Sequence, residues 1–215
     1  MRTRALSGGL VESHAVLRNT YALLSMTLLW SALAAAFGTT LHWSGGAYIG
    51  TILAGFVALF VTMGLRNSGW GVLSIFAFTG LEGLGLGPML QAYLHVPHGA
   101  QIIAEAAGTT GLTFFALSAF VLTTRKDFGF MANFLFVGLV GLILASLMSM
   151  FFHSTAFEMM LSVIAVLIFG GYVLVDTSRI VNGGERNYIM ATLSLYLDIL
   201  NLFVNLLELL NELRD

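Results

Sequence analysis

The chain has 215 residues, 58% of them hydrophobic and only 9% charged, with a mean hydropathy of +0.90. A soluble domain carries about 25% charged residues, so composition alone excludes an ordinary soluble protein and points to a membrane. A net charge of −2 without a basic run gives nucleic acid no electrostatic footing, and the lack of cysteine excludes disulfides, thiolate metal sites and thiol nucleophiles.

Residues 1–17 are polar, with Arg2, Arg4, Glu12 and His14, and read as a cytosolic N-terminal tail. The apolar run at 20–41 follows. Leu33-Ala34-Ala35-Ala36 loosely mimics a signal cleavage site, but a run of about 22 residues has spanning length rather than the roughly 7–15 of a signal core. It is expected to be an uncleaved first span. Further spans follow at about 47–65, 71–94, 101–124, 130–152, 157–180 and 188–210, each long enough for a hydrocarbon core of about 30 Å. The expected fold is an all-α membrane protein, a seven-helix bundle formed by residues 18–215 as one domain. Short connections make sequential helices antiparallel neighbours.

Loop charge sets the direction. With the N-terminus inside, the inner segments hold Arg2, Arg4, Arg18, Arg66, Arg125, Lys126, Arg179 and Arg186, and the outer ones only Arg214. That bias supports seven crossings with the C-terminus outside.

Acidic residues inside the spans come next. Glu82 lies near the middle of span three, in Gly80-Leu81-Glu82-Gly83-Leu84-Gly85-Leu86-Gly87-Pro88. Pro88 cannot donate to the helical ladder, so it frees the Leu84 carbonyl, and exposed carbonyls beside a carboxylate are how irregular membrane helices hold ions. The alternative is that Gly83 and Gly87 form only a close-packing face. Glu105 near the outer end of span four, with Glu158 and Glu208, would draw cations to the outer mouth or simply sit at the interface. His95 and His98, split by Pro97, are too few for a closed metal site and read as a solvated loop.

Asp176 stands toward the inner end of span six. Span seven carries Ser194, Asp198, Asn201, Asn205, Glu208 and Glu212 within a stripe about 80° wide on a helix. Such a stripe needs a bundle interior or a wet cavity to face, which makes the last span the candidate functional helix and Asn201 and Asn205 part of a candidate cation path. If Asp176 and Asp198 meet, two like charges in a low dielectric cannot both ionise easily, and one proton is shared. Raising the pH removes it, and repulsion then separates the two helices. A divalent cation would also neutralise the pair. Straight helices place the two aspartates at depths about 9 Å apart, so the pair needs a displaced or tilted last span. An i,i+3 ion pair with Arg179 is the alternative for Asp176, and packing through Asn or Ser neighbours is the alternative for Asp198.

Leu193-Ser194-Leu195-Tyr196-Leu197-Asp198-Ile199-Leu200-Asn201-Leu202-Phe203 resembles the final-helix signature of the Bax-inhibitor (TMBIM) family. Asn182-Gly183-Gly184-Glu185-Arg186-Asn187-Tyr188, Val16-Leu17-Arg18-Asn19-Thr20-Tyr21 and Val121-Leu122-Thr123-Thr124-Arg125-Lys126-Asp127 are similar to its bacterial YccA-like branch. The resemblance covers nearly the whole chain. It implies seven helices with a central last one, and a bacterial inner membrane. It also implies an aspartate pair, matching Asp176 and Asp198, that senses pH for a calcium leak. The family's latch arginine corresponds to Arg66, and Glu105 fits a family acidic position; Glu82 has no family counterpart. The YccA-like branch further implies binding and modulation of the membrane protease FtsH, with a cytosolic N-terminal tail to which residues 1–17 correspond.

Three readings follow: a pH-gated calcium or cation leak, a modulator or substrate of FtsH, and an intramembrane aspartyl protease. The last lacks the Gly-x-Gly-Asp that such enzymes carry, since Leu195-Tyr196-Leu197-Asp198 stands in its place, and the expectation is a non-enzymatic protein. No cofactor is expected; calcium or protons enter as transported species, with the lipid bilayer as the surroundings.

Overall fold

The computed structural model describes residues 2–151 and 154–214, with side chains from His14 onward. Seven α-helices account for the described chain: α1 Arg2–Gly38, α2 Gly45–Leu65, α3 Trp70–Leu94, α4 Gly99–Thr124, α5 Ala132–Ser149, α6 Thr155–Val181 and α7 Tyr188–Glu212. Each is long and apolar enough to cross a membrane, the span of α1 being His14–Gly38. Helical backbone reaches back to Arg2 into the stretch expected to be a tail, and no proline interrupts it. Arg2, Arg4 and Glu12 have side chains outside the described residues. The first span also stops at Gly38 rather than 41: beyond it the ladder passes into i→i+3 bonds, Thr40 N–H to the Phe37 carbonyl at 3.0 Å and Leu41 N–H to the Gly38 carbonyl at 3.3 Å, and Trp43 Nε1 also donates to the Gly38 carbonyl at 2.8 Å.

The helices group into two compact units, one formed by residues up to Gly99 with Glu185–Tyr196, the other by Ala100–Gly184 with residues from Leu197 onward. In the first unit α3 packs against both α1 and α2. The contact with α1 is a small-residue seam, as expected where lipid offers no hydrophobic drive and close backbone approach must supply the attraction. A Cβ on Gly83 would lie 2.3 Å from the Ser31 carbonyl oxygen, and one on Gly87 would lie 2.5 Å from the backbone of Gly38. Trp30 Nε1 donates to the Phe76 carbonyl at 3.0 Å. α3 continues through Pro88, and the Leu84 carbonyl that Pro88 leaves without a helical donor is covered by Gly38, where an added Cβ would lie 2.9 Å from it.

In the second unit α5 packs on α6, and Ser118 Oγ of α4 meets Thr177 Oγ1 of α6 at 3.3 Å. α6 ends in a Schellman-type turn: Gly183 N–H donates to the Ile180 carbonyl at 3.3 Å and Gly184 N–H to the Arg179 carbonyl at 2.8 Å. Gly183 takes φ +75°, which only glycine adopts without cost. The Asn182-Gly183-Gly184 run is thus the physical reason α6 stops where it does.

Burial separates α7 from the rest. Not one of its residues from Tyr188 to Glu212 is exposed, whereas α1 to α6 carry exposed Leu29, Leu53, Leu73, Phe115, Phe134 and Leu167. Leu195, Tyr196, Leu202 and Leu207 of α7 are 1% exposed or less. The apolar faces of this helix therefore meet protein, while large side chains on the other six form the surface suited to lipid.

Candidate functional site

α7 begins on Asn187. Its Oδ1 accepts from the N–H groups of Ile189 at 3.0 Å and Met190 at 3.1 Å, which satisfies two of the donors that a helix start leaves orphaned. Four residues into the helix, Thr192 Oγ1 donates to its own helix at the Tyr188 carbonyl, 2.8 Å, and lies 3.3 Å from the Thr20 carbonyl of α1. Tyr196 donates its hydroxyl hydrogen to the Thr79 carbonyl at 3.3 Å, lies 2.7 Å from Ser31 Oγ, and sets its ring edge-on to Phe78 with centroids 5.8 Å apart. These bonds fix the rotation of α7 in the first unit.

Asp198 belongs to the second unit. It is 5% exposed, and its Oδ2 is buried without a hydrogen-bond partner. Asp176 acts on it electrostatically, and Tyr172, one turn before Asp176, lies within electrostatic reach of both. Asp176 is half-buried and has Arg179 Nη1 at 3.7 Å; the guanidinium itself is largely exposed. The loose i,i+3 pair and the neighbouring aspartate therefore coexist. Asp176 stands five residues before the end of α6 and Asp198 ten after the start of α7, a mismatch of about 7 Å on straight helices.

The polar stripe continues toward the C-terminal end of α7. Asn201 Nδ2 donates to the Leu197 carbonyl and Asn205 Nδ2 to the Asn201 carbonyl, both at 2.8 Å. Each amide thus spends a donor on its own helix and keeps its carbonyl oxygen to offer a cation or water. Glu208 accepts from the buried Ser162 Oγ of α6 at 2.9 Å. Glu105 is held by Gln101 Nε2 at 2.9 Å and by Arg214 Nη2 at 2.8 and 2.6 Å, so its charge is matched rather than free.

Glu82 and Arg66 belong to the first unit. Glu82 is half-buried on α3, with Oε1 2.8 Å from where a Cβ on Gly55 of α2 would be, so the absence of a side chain at Gly55 makes room for it. Arg66 is exposed at the C-cap of α2, and its carbonyl accepts from Asn187 Nδ2 at 2.8 Å. His95 Nδ1 lies 2.7 Å from the Gln91 carbonyl. Among the described residues no group of three or more His, Cys, Asp and Glu side chains converges to hold a metal.

Two features escaped the sequence reading. Asn187 before an apolar run is a recognisable N-cap signal, but its second role is not local. Ser162 carried no signal at all, since a serine on an apolar helix reads as small packing until its partner is known.

Comparison with known proteins bears on the same residues. The family model described as "Inhibitor of apoptosis-promoting Bax1" matches residues 13–215. A Vibrio cholerae protein named "Uncharacterized membrane protein" is 48% identical over 215 residues, covering 100% of this chain and 96% of that one. The Escherichia coli K12 protein "Modulator of FtsH protease YccA" is 43% identical over 201 residues, 94% of this chain and 91% of the relative. A Pseudomonas aeruginosa relative is 46% identical over 199 residues, 92% and 89% of the two chains. The chain belongs to the Bax inhibitor family, in its YccA-like branch.

Proposed function

We propose that the protein is a pH-gated cation leak of the bacterial inner membrane, with calcium as the cargo ion and Asp176 and Asp198 as its sensor. The observation that carries this reading is the buried Asp198, one carboxylate oxygen unpartnered, with Asp176 of the facing helix acting on it. A buried carboxylate without a donor is expensive when ionised, and a second carboxylate nearby makes it more so. At low pH a proton held by the pair keeps α6 and α7 together. As pH rises the proton leaves, the negative charges repel, and the helices part. Asn201, Asn205 and Glu208 supply oxygen along the same stripe, on the side we assign to the exterior. The N-terminus is cytoplasmic and the C-terminus outside, on the loop charges. The test is calcium flux in proteoliposomes across pH, comparing wild type with Asp176→Asn and Asp198→Asn.

A second reading is favoured by one finding, the name of the Escherichia coli relative, "Modulator of FtsH protease YccA". On this reading the protein restrains or is degraded by FtsH, and residues 1–17 are what the protease engages. Deleting them is expected to lengthen the protein's half-life in cells that contain FtsH and to leave ion flux unchanged. An unchanged half-life, with no FtsH co-purifying with the full chain, counts against it.

A further inference from the structure

Glu82 stands at the middle of its span. It is twelve residues from either end of α3, and Gly55, which faces it from α2, is ten from either end of its own helix. Twelve residues of helix are about 18 Å, further than a glutamate side chain can snorkel toward a headgroup. Gly55 is buried, and the space its missing side chain leaves is where Glu82 Oε1 sits. The hydroxyls of Thr51 and Thr62, on either side of Gly55 along α2, donate to the Ala47 and Ala58 carbonyls of that same helix. No hydrogen bond or ion pair among the described residues engages the Glu82 carboxyl.

The titratable groups of the packed helices are few. α2 contains only Tyr48, seven residues before Gly55, with Arg66 at its C-cap eleven residues beyond. Along α1 the last is Tyr21, ten residues before Ser31, and Ser31 is the residue that meets Gly83. α3 itself adds only Tyr93. On the start of α7, beyond Tyr188, Tyr196 feels the charge of Glu82, but its hydroxyl hydrogen is given to the Thr79 carbonyl. The Leu84 carbonyl is covered by Gly38, and among the described residues no group of three acidic or histidine side chains converges. Glu82 thus falls short of the roughly six oxygens that a calcium ion takes. A proton needs only the one carboxylate.

We propose that Glu82 is a proton-binding site of the first unit: its carboxyl lies over Gly55, holds a proton at neutral pH, and opens on its uncovered side to the bilayer. An ionised carboxylate at mid-span with neither donor nor counter-charge is the costly state, and a proton removes that cost. Glu82 is half-buried, and the exposed residues that flank Gly55 along α2, Leu53 and Phe56, are apolar. Asp176 and Asp198 belong to the second unit, and the site does not depend on the cation-leak reading.

The test treats the full chain, in vesicles of phosphatidylethanolamine and phosphatidylglycerol, with a membrane-soluble carbodiimide, which attacks protonated carboxyls. The carboxyl oxygen bonds to the central carbon and its proton passes to one nitrogen; the acyl group then moves from oxygen to the other nitrogen, and no atom is lost. Cleavage after methionine releases residues 64–89, in which Glu82 is the only carboxyl side chain and cysteine and tyrosine are absent. A gain of one carbodiimide on that fragment therefore reports Glu82. An ordinary glutamate at pH 7.5 is depleted about a thousandfold in its protonated form. The wild-type fragment is expected to label at pH 7.5 and Glu82→Gln to lose the label. Gly55→Ala, whose methyl would overlap Oε1, is expected to label faster as the carboxyl is pushed from its seat. In parallel, the infrared carbonyl band of protonated carboxyls is expected at pH 7.5 and should lose intensity in Glu82→Gln. A band that this substitution leaves unchanged, or a Glu82 contribution that titrates near the ordinary value of about 4.3, overturns the proposal. A contribution lost in Glu82→Gln but with no labelling of the wild type overturns the opening to the bilayer.

Discussion

Asp198 and Tyr196 stand two residues apart on α7 and are satisfied in opposite ways. The Tyr196 hydroxyl has both a donor-side and an acceptor-side partner, Thr79 and Ser31, while Asp198 keeps an oxygen with none. A fully bonded buried hydroxyl is a structural device, and a buried carboxylate left short of donors costs stability unless protonated. Tyr196→Phe is therefore expected to lower stability by about 1 kcal/mol, since it leaves a buried Ser31 hydroxyl unpaired. A double-mutant cycle with Ser31→Ala, read from unfolding in mixed detergent, should return a coupling of about 0.6 kcal/mol; zero coupling would mean that the 2.7 Å contact contributes nothing. Asp198→Asn is nearly isosteric and should leave stability unchanged or raise it. Both aspartates were legible in the sequence because a charge in an apolar span is conspicuous. Tyr196 was not, since tyrosine among leucines reads as an ordinary apolar residue until its neighbours on α1 and α3 are in place.

At the scale of the element, the α1–α3 seam shows why glycine-rich α3 is helical at all. Gly80, Gly83 and Gly87 weaken a helix in isolation, yet they let α1 approach so closely that Trp30, Ser31 and Gly38 lie against its backbone. Position decides the effect of substitution. Gly83→Ala is expected to cost about 1–3 kcal/mol, because its methyl would overlap the Ser31 carbonyl. Gly85→Ala has nothing within 4 Å and should be neutral or stabilising by about 0.5–1 kcal/mol. Thermal melts of the two variants in detergent separate these outcomes, and equal melting temperatures would contradict the seam. The sequence offered the close-packing face and the ion-binding carbonyl as alternatives for this stretch. It could not choose, because the residue that covers the Leu84 carbonyl is Gly38, on another helix. Helix ends were easier to read. Asn182-Gly183-Gly184 and Asn187 carry their own termination and capping chemistry, although the hold of Asn187 on Arg66 could not be read from local sequence.

Across the whole molecule, hydrophobic run length located all seven helices to within a few residues, except that α1 extends back to Arg2. Run length fixes spans because a bilayer core has one thickness and backbone groups inside it must be paired. It says nothing about which face of a helix meets lipid and which meets protein, and the structure shows that the leucines of α7 are covered. Orientation rests on loop charge and can be checked in the same cysteine-free background. Single cysteines at Lys126→Cys and Leu213→Cys, both exposed positions, should react differently with an impermeant maleimide added to spheroplasts. Position 213 is expected to label in intact spheroplasts and position 126 only after lysis; the reverse pattern would invert the topology.

The central claim is that protonation of the Asp176–Asp198 pair governs cation passage, and proteoliposomes loaded with a calcium dye measure this most directly. Wild-type flux is expected to rise with pH as the shared proton is lost, and Asp198→Asn and Asp176→Asn, which cannot build the repulsive pair, are expected to flatten that dependence. Identical flux in all three proteins at every pH would contradict the account.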